Sequence, residues 1–353
     1  MAGAVKKGAA GGAVMAAATV KQFGDIDSVI SMSYTHPKPT LELKSGNILI
    51  KVKACSLSPG DCRMIGGHKD LFCTPEKCGT TWPYIPGLDV CGTVVEVDTE
   101  GDGKTKPAER FKVGDEIIGT WDMVGLGGMA EFALVKAKCA AVIPPGLGIS
   151  AVEAAALANS ASHALFVFER AQIKAGERVL LIGGSGGVGT ALTQLCKDAG
   201  AAYVACVSTD ATLMTSLGAD RVVDYRQEAW ADVAAAERER FDVVVDCAQG
   251  VSAWKQVQNQ RILKVGSQGG RFVSVVYTEW HLDIHSYYAL AAFLLPPLFR
   301  MISSWFTRWF TPEYRMYLGS ADGPSIERVL GLVAQKRLKA VVDPRGALPF
   351  SGA

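Results

Sequence analysis

The residues with the clearest chemical meaning are Gly183-Gly184-Ser185-Gly186-Gly187-Val188-Gly189, which follow the apolar run Val179-Leu180-Leu181-Ile182 and lead at once into Thr190-Ala-Leu-Thr-Gln-Leu-Cys-Lys197. A buried strand that turns through glycine into a helix gathers helix N-terminal amides at one point, where a dinucleotide pyrophosphate can be seated. Glycine is needed there for backbone angles closed to other residues and because a side chain would hold the phosphates away. Ser185, Gly186, Gly187 and Val188 are therefore the expected phosphate-binding residues, and a nicotinamide cofactor the expected ligand.

The elements that must position this loop recur downstream. Gly200 and the strand Tyr203–Val207 follow the helix, then a helix ending at Gly218, the strand Arg221–Asp224, and further strands at Phe241–Asp246 and Gly270–Val276. Strands separated by helices specify crossovers and a parallel sheet. Cofactor choice is read at the end of the second strand, where an acid binds a ribose diol and small hydroxyls with a nearby cation favour the NADP phosphate. Ser208 and Thr209 stand there, with Tyr225 as an adenine-side contact. NADPH is the preferred cofactor and NADH the alternative, because Asp210 would repel a phosphate unless turned away or offset by Arg226. Cys247, after the fourth strand, and Val275, near the end of the fifth, complete the expected cofactor set.

The 353 residues are 49% hydrophobic, with 36 Lys and Arg against 35 Asp and Glu. That length suits two domains, and the charge balance leaves no basic surplus for nucleic acid. Nine cysteines without a secretory signal read as reduced thiols in an intracellular compartment. Residues 1–14 are mostly Ala and Gly, with Lys6 and Lys7 and no acid, a composition that fits an organelle-targeting remnant or a disordered arm. A mitochondrion or other organelle is the expected location, with the cytoplasm as the alternative. Residues 15–150 carry short alternating strands such as Asn47–Ala54, Gly92–Asp98, Asp115–Gly119 and Glu131–Val135, suited to a half-buried sheet or barrel. Asp98–Arg110 reads as a surface loop and the Ala-rich Ser150–Arg170 as a helix into the nucleotide domain, expected over 151–325. Residues 326–353 are expected to return to the first domain.

In chain order, Pro86-Gly87-Leu88-Asp89 with Gly92, Phe111-Lys-Val-Gly-Asp115 with Gly119, Gly128-Met-Ala-Glu131, Ile173-Lys-Ala-Gly-Glu177, the glycine loop and Leu217-Gly-Ala-Asp220 resemble the medium-chain dehydrogenase/reductases. The chain is similar to their zinc-free quinone oxidoreductase branch, which includes reticulon-4-interacting mitochondrial reductases and plant enone reductases. The resemblance implies a GroES-like β-barrel domain, a Rossmann doubly wound parallel-sheet domain, and a nicotinamide ring in the cleft between them. It implies no zinc, since Ser58 and Leu88 stand where zinc-dependent members place cysteine and histidine; Cys73 with Cys78 lacks the second pair of a structural site. In the loop Leu57–Arg63, Ser58 replaces the usual Asn, Arg63 replaces a Lys or Tyr, and Asp61 is retained. Asp61 and Arg63 either fix that loop or sit at the ring; Arg63 can donate hydrogen bonds but, as a permanent cation, cannot deliver a proton. Ser162 stands where the family has a Thr near the nicotinamide, and the adjacent His163 reads as a packed helix histidine. His281 and His285 are given no role.

Two departures from that pattern remain. Residues 287–310 are apolar and aromatic with two prolines; the apolar part is shorter than the roughly 20 residues a bilayer span needs, so no transmembrane helix is expected. It suits a surface helix, a partner contact, or a buried interface or cleft wall. The chain also stops at Pro349-Phe-Ser-Gly-Ala353, where relatives continue with a helix and strand that complete the first domain; either the sequence is incomplete, or a strand edge is left open for another protein to cover. Two functional readings follow. One is an NAD(P)H-dependent reductase of a quinone or enone. The other is an accessory subunit of a membrane-associated organellar complex, holding protein partners through the N-terminal arm, residues 287–310 and the open edge, with the nucleotide as a structural ligand.

Overall fold

Apolar residues on alternate positions of one strand set, and on all positions of another, divide the chain into two layered halves. The computed structural model describes residues 13–68, 82–120, 127–276 and 283–350; most of the N-terminal arm, Cys73, Cys78 and His281 lie outside them. The first half holds β1 (Val14–Val20), a short α1 (Ile26–Val29), β2 (Ile30–Pro37), β3 (Asn47–Ser56), α2 (Pro59–Ile65), β4 (Asp89–Val97), α3 (Pro107–Arg110), β5 (Glu116–Thr120), β6 (Phe132–Lys136) and β7 (Ala140–Val142). β1 and β2 form a hairpin, and the others an antiparallel sheet in the order β6-β3-β4-β5-β7. Bridges at Ala17–Ala130 and Val20–Tyr84 join the two, giving the GroES-like domain. Asp98 is not in an exposed loop as its polar surroundings suggest. It is fully buried, and its carboxylate accepts the amides of Lys44, Gly46, Glu100 and Gly101.

The second half begins with α4 (Ala151–Ala171), capped by Ser150 and Glu153 in a reciprocal box. There follow β8 (Arg178–Ile182), α5 (Gly187–Asp198), β9 (Tyr203–Val207), α6 (Ala211–Ser216), β10 (Arg221–Val223), α7 (Trp230–Ala235), β11 (Val243–Asp246), α8 (Val251–Asn259), β12 (Arg271–Ser274), α9 (Tyr287–Phe306), β13 (Glu313–Met316) and α10 (Gly323–Ala334). The six strands are parallel, in the order β10-β9-β8-β11-β12-β13, the doubly wound dinucleotide topology. Their continuous apolarity has a simple cause: both faces are covered. Val179, Leu181, Val243 and Val245 enter the core on the α4 and α5 side, while Leu180, Ile182, Val244 and Phe272 enter the core on the other.

The tail divides its contacts. Ile326 and Leu330 of α10 pack with Cys91, Ile118 and Ala154 against the GroES-like sheet, so this helix returns to the first domain. Leu338 instead joins the nucleotide core, and Gln194 exchanges two hydrogen bonds with the backbone of Lys339.

One buried cation ties α4 to the sheet. Arg271, 5% exposed, donates to the carbonyls of Ala171, Gln172 and Gly269 and to both carboxylate oxygens of Glu177. Replacing it with methionine leaves Glu177 without its cation, holding only the Lys174 amide, and takes a donor from the carbonyls of Ala171 and Gln172; removing one side of such a pair costs about 3 kcal/mol. Arg271→Met should lower the stability measured by urea unfolding by that amount, Glu177→Gln by clearly less; equal stabilities for all three proteins would refute the tie.

Candidate nucleotide site and interdomain cleft

The glycine loop lies at the carboxyl end of β8, next to β11, where the strand order reverses; ligands bind open α/β sheets at this point. Gly183 has φ +87°, and a Cβ there would meet Cβ of Ala248 at 3.0 Å. A Cβ on Gly189 would lie on the carbonyl oxygens of Gly183 and Gly184, which is why helix and strand can pack so closely. Gly186 is the N-cap of α5 and faces outward: a Cβ added there would meet no atom nearer than the Gly183 carbonyl oxygen, at 3.5 Å. Ser185, Gly186 and Gly187 are exposed and Val188 half-buried. The first-turn amides of α5 have no acceptor within the helix, so the loop is a cradle for an anion, and its residues fit a dinucleotide phosphate.

Around the cradle, the side chains expected to read the adenosine half are arranged by local caps. Ser208 is buried, and its hydroxyl accepts the amide of Asp210. Asp210 is turned away from the loop: its carboxylate caps α6 by accepting the Leu213 amide. Arg226 grips Asp224 with two nitrogens, at 3.0 and 2.8 Å, and reaches the Thr209 carbonyl at 3.5 Å. Tyr225 is 57% exposed. Cys247 and Val275 follow β11 and β12, their amides bonded to Ile182 and Asp246. Asp246 itself is buried; burial pushes its pKa up to about 6, while the amides of Gln249, Ala248 and Gly250 pull the other way.

The residues expected near the ring have more internal roles. Asp61, 2% exposed, accepts the amide and hydroxyl of Ser58 and the amide of Gly87 at 2.9 Å. It closes the cap of α2 and fastens that helix to the Pro86-Gly87 turn. Arg63 sits half-buried on α2, its pKa lowered by desolvation. The hydroxyl of Ser162 is fully buried and donates to Ala158 O of its own helix at 2.8 Å. His163 packs edge-on against Tyr317, with Nδ1 2.5 Å from its hydroxyl, and burial lowers its pKa, as expected of a packed histidine.

Four residues outside the expected set are brought together instead. Asp89, 2% exposed, accepts a 2.6 Å bond from the Thr120 hydroxyl, to which Asn159 Nδ2 donates at 3.4 Å. The next residue, Ser160, occupies the space that a side chain on Gly187 would need. Asn159 and Ser160 are adjacent on α4, one touching the GroES-like domain and the other the nucleotide loop. Burial, opposed by Thr120 and reinforced by Asp61, raises the pKa of Asp89 to about 8, so its carboxyl is protonated near neutrality. In the sequence Asp89 stands out only as part of a turn motif, and nothing local marks its depth.

Comparison with known proteins is decisive for the family. The alcohol dehydrogenase GroES-like domain matches residues 44–145, and the zinc-binding dehydrogenase domain matches residues 217–353. This chain is a medium-chain dehydrogenase/reductase. Among similar proteins are a 2-methylene-furan-3-one reductase of Solanum lycopersicum, 29% identical over 96% of this chain and 73% of its own length, and a chloroplast envelope quinone oxidoreductase homolog of Arabidopsis thaliana, 36% identical over 61% of this chain and 63% of its own. The quinone oxidoreductase of Coxiella burnetii superposes with a TM-score of 0.69 at 23% identity, covering 93% and 90% of the two chains. A structure from Sinorhizobium meliloti 1021, bound to NADP, does so at 0.65 with the same identity and the same coverage.

Zinc-dependent members of this superfamily set a test that the dehydrogenase/reductase in hand does not meet. Ser58 uses its hydroxyl within the α2 cap, and Leu88 packs into the core of the GroES-like domain. Neither supplies the thiolate or imidazole that zinc needs, so these residues do not fit the metal.

Two outcomes are expected. Gly187→Ala should weaken dinucleotide binding at least tenfold by calorimetry, and Ser160→Gly in the same chain should restore most of it, because the clash is with a side chain; failure of the second change to rescue would disprove this account. Asp89 holds its proton more tightly folded than unfolded, so native stability falls as pH rises from about 4 to about 8. Asp89→Asn lacks that loss, and its stability relative to the native protein should grow by more than about 1 kcal/mol between pH 5 and pH 8 in urea titrations; parallel curves would show that Asp89 ionises normally.

Proposed function

We propose that this protein is a zinc-independent, NADPH-dependent oxidoreductase that reduces a quinone or an enone. The observation that carries the reading is the glycine cradle at the end of β8, combined with a cleft whose residues at 58 and 88 cannot bind a Lewis-acid metal. Names of similar proteins agree with it, including an NADPH-dependent alkenal/one oxidoreductase and quinone-oxidoreductase homologs described as chloroplastic. They also support an organelle as its location.

In this reading Ser185, Gly186, Gly187 and Val188 hold the pyrophosphate, and Ser208, Thr209, Tyr225, Cys247 and Val275 line the rest of the nucleotide. The Asp210 carboxylate is committed to the start of α6, and Arg226, paired with Asp224, lies beside the Thr209 carbonyl, from where it can turn to a ribose phosphate. When bound, the nicotinamide supplies the hydride. The chain must then steady the negative charge that develops on the acceptor oxygen. Arg63 is the hydrogen-bond donor assigned to that oxygen, and solvent delivers the proton that Arg63 cannot. Asp61 acts through position, fixing α2 and the Pro86-Gly87 turn, while the Ser162 hydroxyl is bonded within α4.

The test is nucleotide affinity and turnover on one preparation. Micromolar NADPH binding with oxidation by members of a quinone and enone panel is expected. Arg226→Ala should raise the Kd for NADPH about tenfold, the worth of one charge-assisted contact, while leaving that for NADH within about twofold. Binding without turnover would instead assign the nucleotide a structural role in an accessory subunit, and no binding would overturn both readings.

A further inference from the structure

The expectation of no transmembrane helix in residues 287–310 rests on a short apolar part with two prolines; the structure continues that part into one longer helix. α9 is continuous through Pro296 and Pro297 and runs the full 20 residues from Tyr287 to Phe306, long and apolar enough by length and composition to cross a membrane. Two adjacent prolines remove only neighbouring donors, and the helix continues past them.

Its topology decides against crossing. α9 connects β12 to β13, which are paired neighbours in one sheet. Its start is fixed where the Ile284 amide bonds His68 O, and its end where Tyr314 N donates to Ser304 Oγ and Ser267 N to Arg308 O. Both ends therefore stay on the same body, and the helix lies along its flank. Leu298 and Met301 pack toward the core beneath, and Pro297 and Ser304 are the buried residues of α9.

The opposite face is apolar as well. Tyr288, Ala292, Leu295, Phe299, Ile302 and Phe306 recur at alternating spacings of four and three residues and are all exposed, forming a stripe about 27 Å long. Trp305, Trp309 and Phe310 widen it at the C-terminal end, at 60%, 65% and 84% exposure. A helix that is apolar on both faces has its outer face covered by something. Between Asp283 and Glu313 the sequence has no acid, but it has Arg300 and Arg308. The two bordering carboxylates are engaged, Asp283 with His68 and His285, Glu313 with Arg315. Arg308 is exposed beside the Trp309 ring, 5.8 Å from its centre.

We propose that α9 and the following turn dock this protein on a lipid surface carrying anionic headgroups. The helix lies parallel to that surface, with its outer stripe in the boundary between headgroups and acyl chains. An aromatic cluster next to a cation, on an apolar stripe without acids, is the composition such interfaces take up. The inference stands apart from the proposed reductase activity and does not depend on it.

The intact chain should float with vesicles of phosphatidylcholine and phosphatidylglycerol and less with phosphatidylcholine alone. Phe299→Asp with Phe306→Asp should lower partitioning more than tenfold, and Arg308→Glu several-fold on the anionic vesicles only. Both changes lie on the solvent face, so nucleotide affinity and circular dichroism should match the native protein. Brominated lipid should quench tryptophan emission of the native chain, and Trp305→Phe with Trp309→Phe should remove most of that quenching. A native chain that stays with neither vesicle, and is not quenched, overturns the proposal. If the Asp pair then dissolves a dimer seen by light scattering, the stripe is an interface between two copies.

Discussion

The passage of α4 across the first turn of α5 is the contact on which the rest of the molecule depends. Ser160 fills the space beside Gly187, and Asn159 reaches back to Thr120 of the GroES-like domain. Adjacent residues of one helix therefore touch the glycine loop and the GroES-like domain at once. The composition of α4 follows from that duty. Ala154, Ala155, Ala158, Ala161 and Ala164 are all buried; small side chains let the helix approach the GroES-like sheet on one side and the nucleotide core on the other. Larger residues would separate the two layers and move Ser160 away from Gly187. The Arg271 tie, bonded to the last carbonyls of α4, holds the other end of the same helix in register with β12.

The parallel sheet is legible in the sequence because its information is local. Each strand is a short apolar run ended by a polar or glycine residue, so Tyr203–Val207 is placed to the residue and Arg178–Ile182 within one. The glycine loop is legible for the same reason, since glycine at each position answers a backbone requirement visible in sequence. α9 is not, because proline counts against a helix locally, whereas packing on β13 and the core beneath it holds the chain helical regardless. Asp98 is disguised by the polar residues around it, although four backbone amides make its burial tolerable. The grouping of Asp89, Thr120, Asn159 and Ser160 has no sequence signal because their meeting is wholly tertiary: 31 and 39 positions separate the bonded pairs.

Asp61 and Asp89, two of the buried carboxyls of the first domain, show how position alone divides chemically similar groups. Asp61 is given three donors, two from Ser58 and one from Gly87. They oppose the upward push of burial on its pKa, and they commit both oxygens to holding α2 against the Pro86-Gly87 turn. Asp89 receives one side-chain donor, from Thr120, and is pushed to about 8 by deeper burial and by Asp61 itself. A protonated Asp89 can donate as well as accept, which an ionised one cannot, and the oxygen that accepts the Thr120 hydroxyl is joined through it to Asn159 on α4. In zinc-dependent relatives a metal would dominate the electrostatics of such a wall. Here Ser58 and Leu88 leave that field to neutral and hydrogen-bonded groups, and the permanent charge on α2 is Arg63. In the proposed reading, a cleft built this way favours acceptors that take up negative charge by conjugation over alcohols that need a metal to give up a proton.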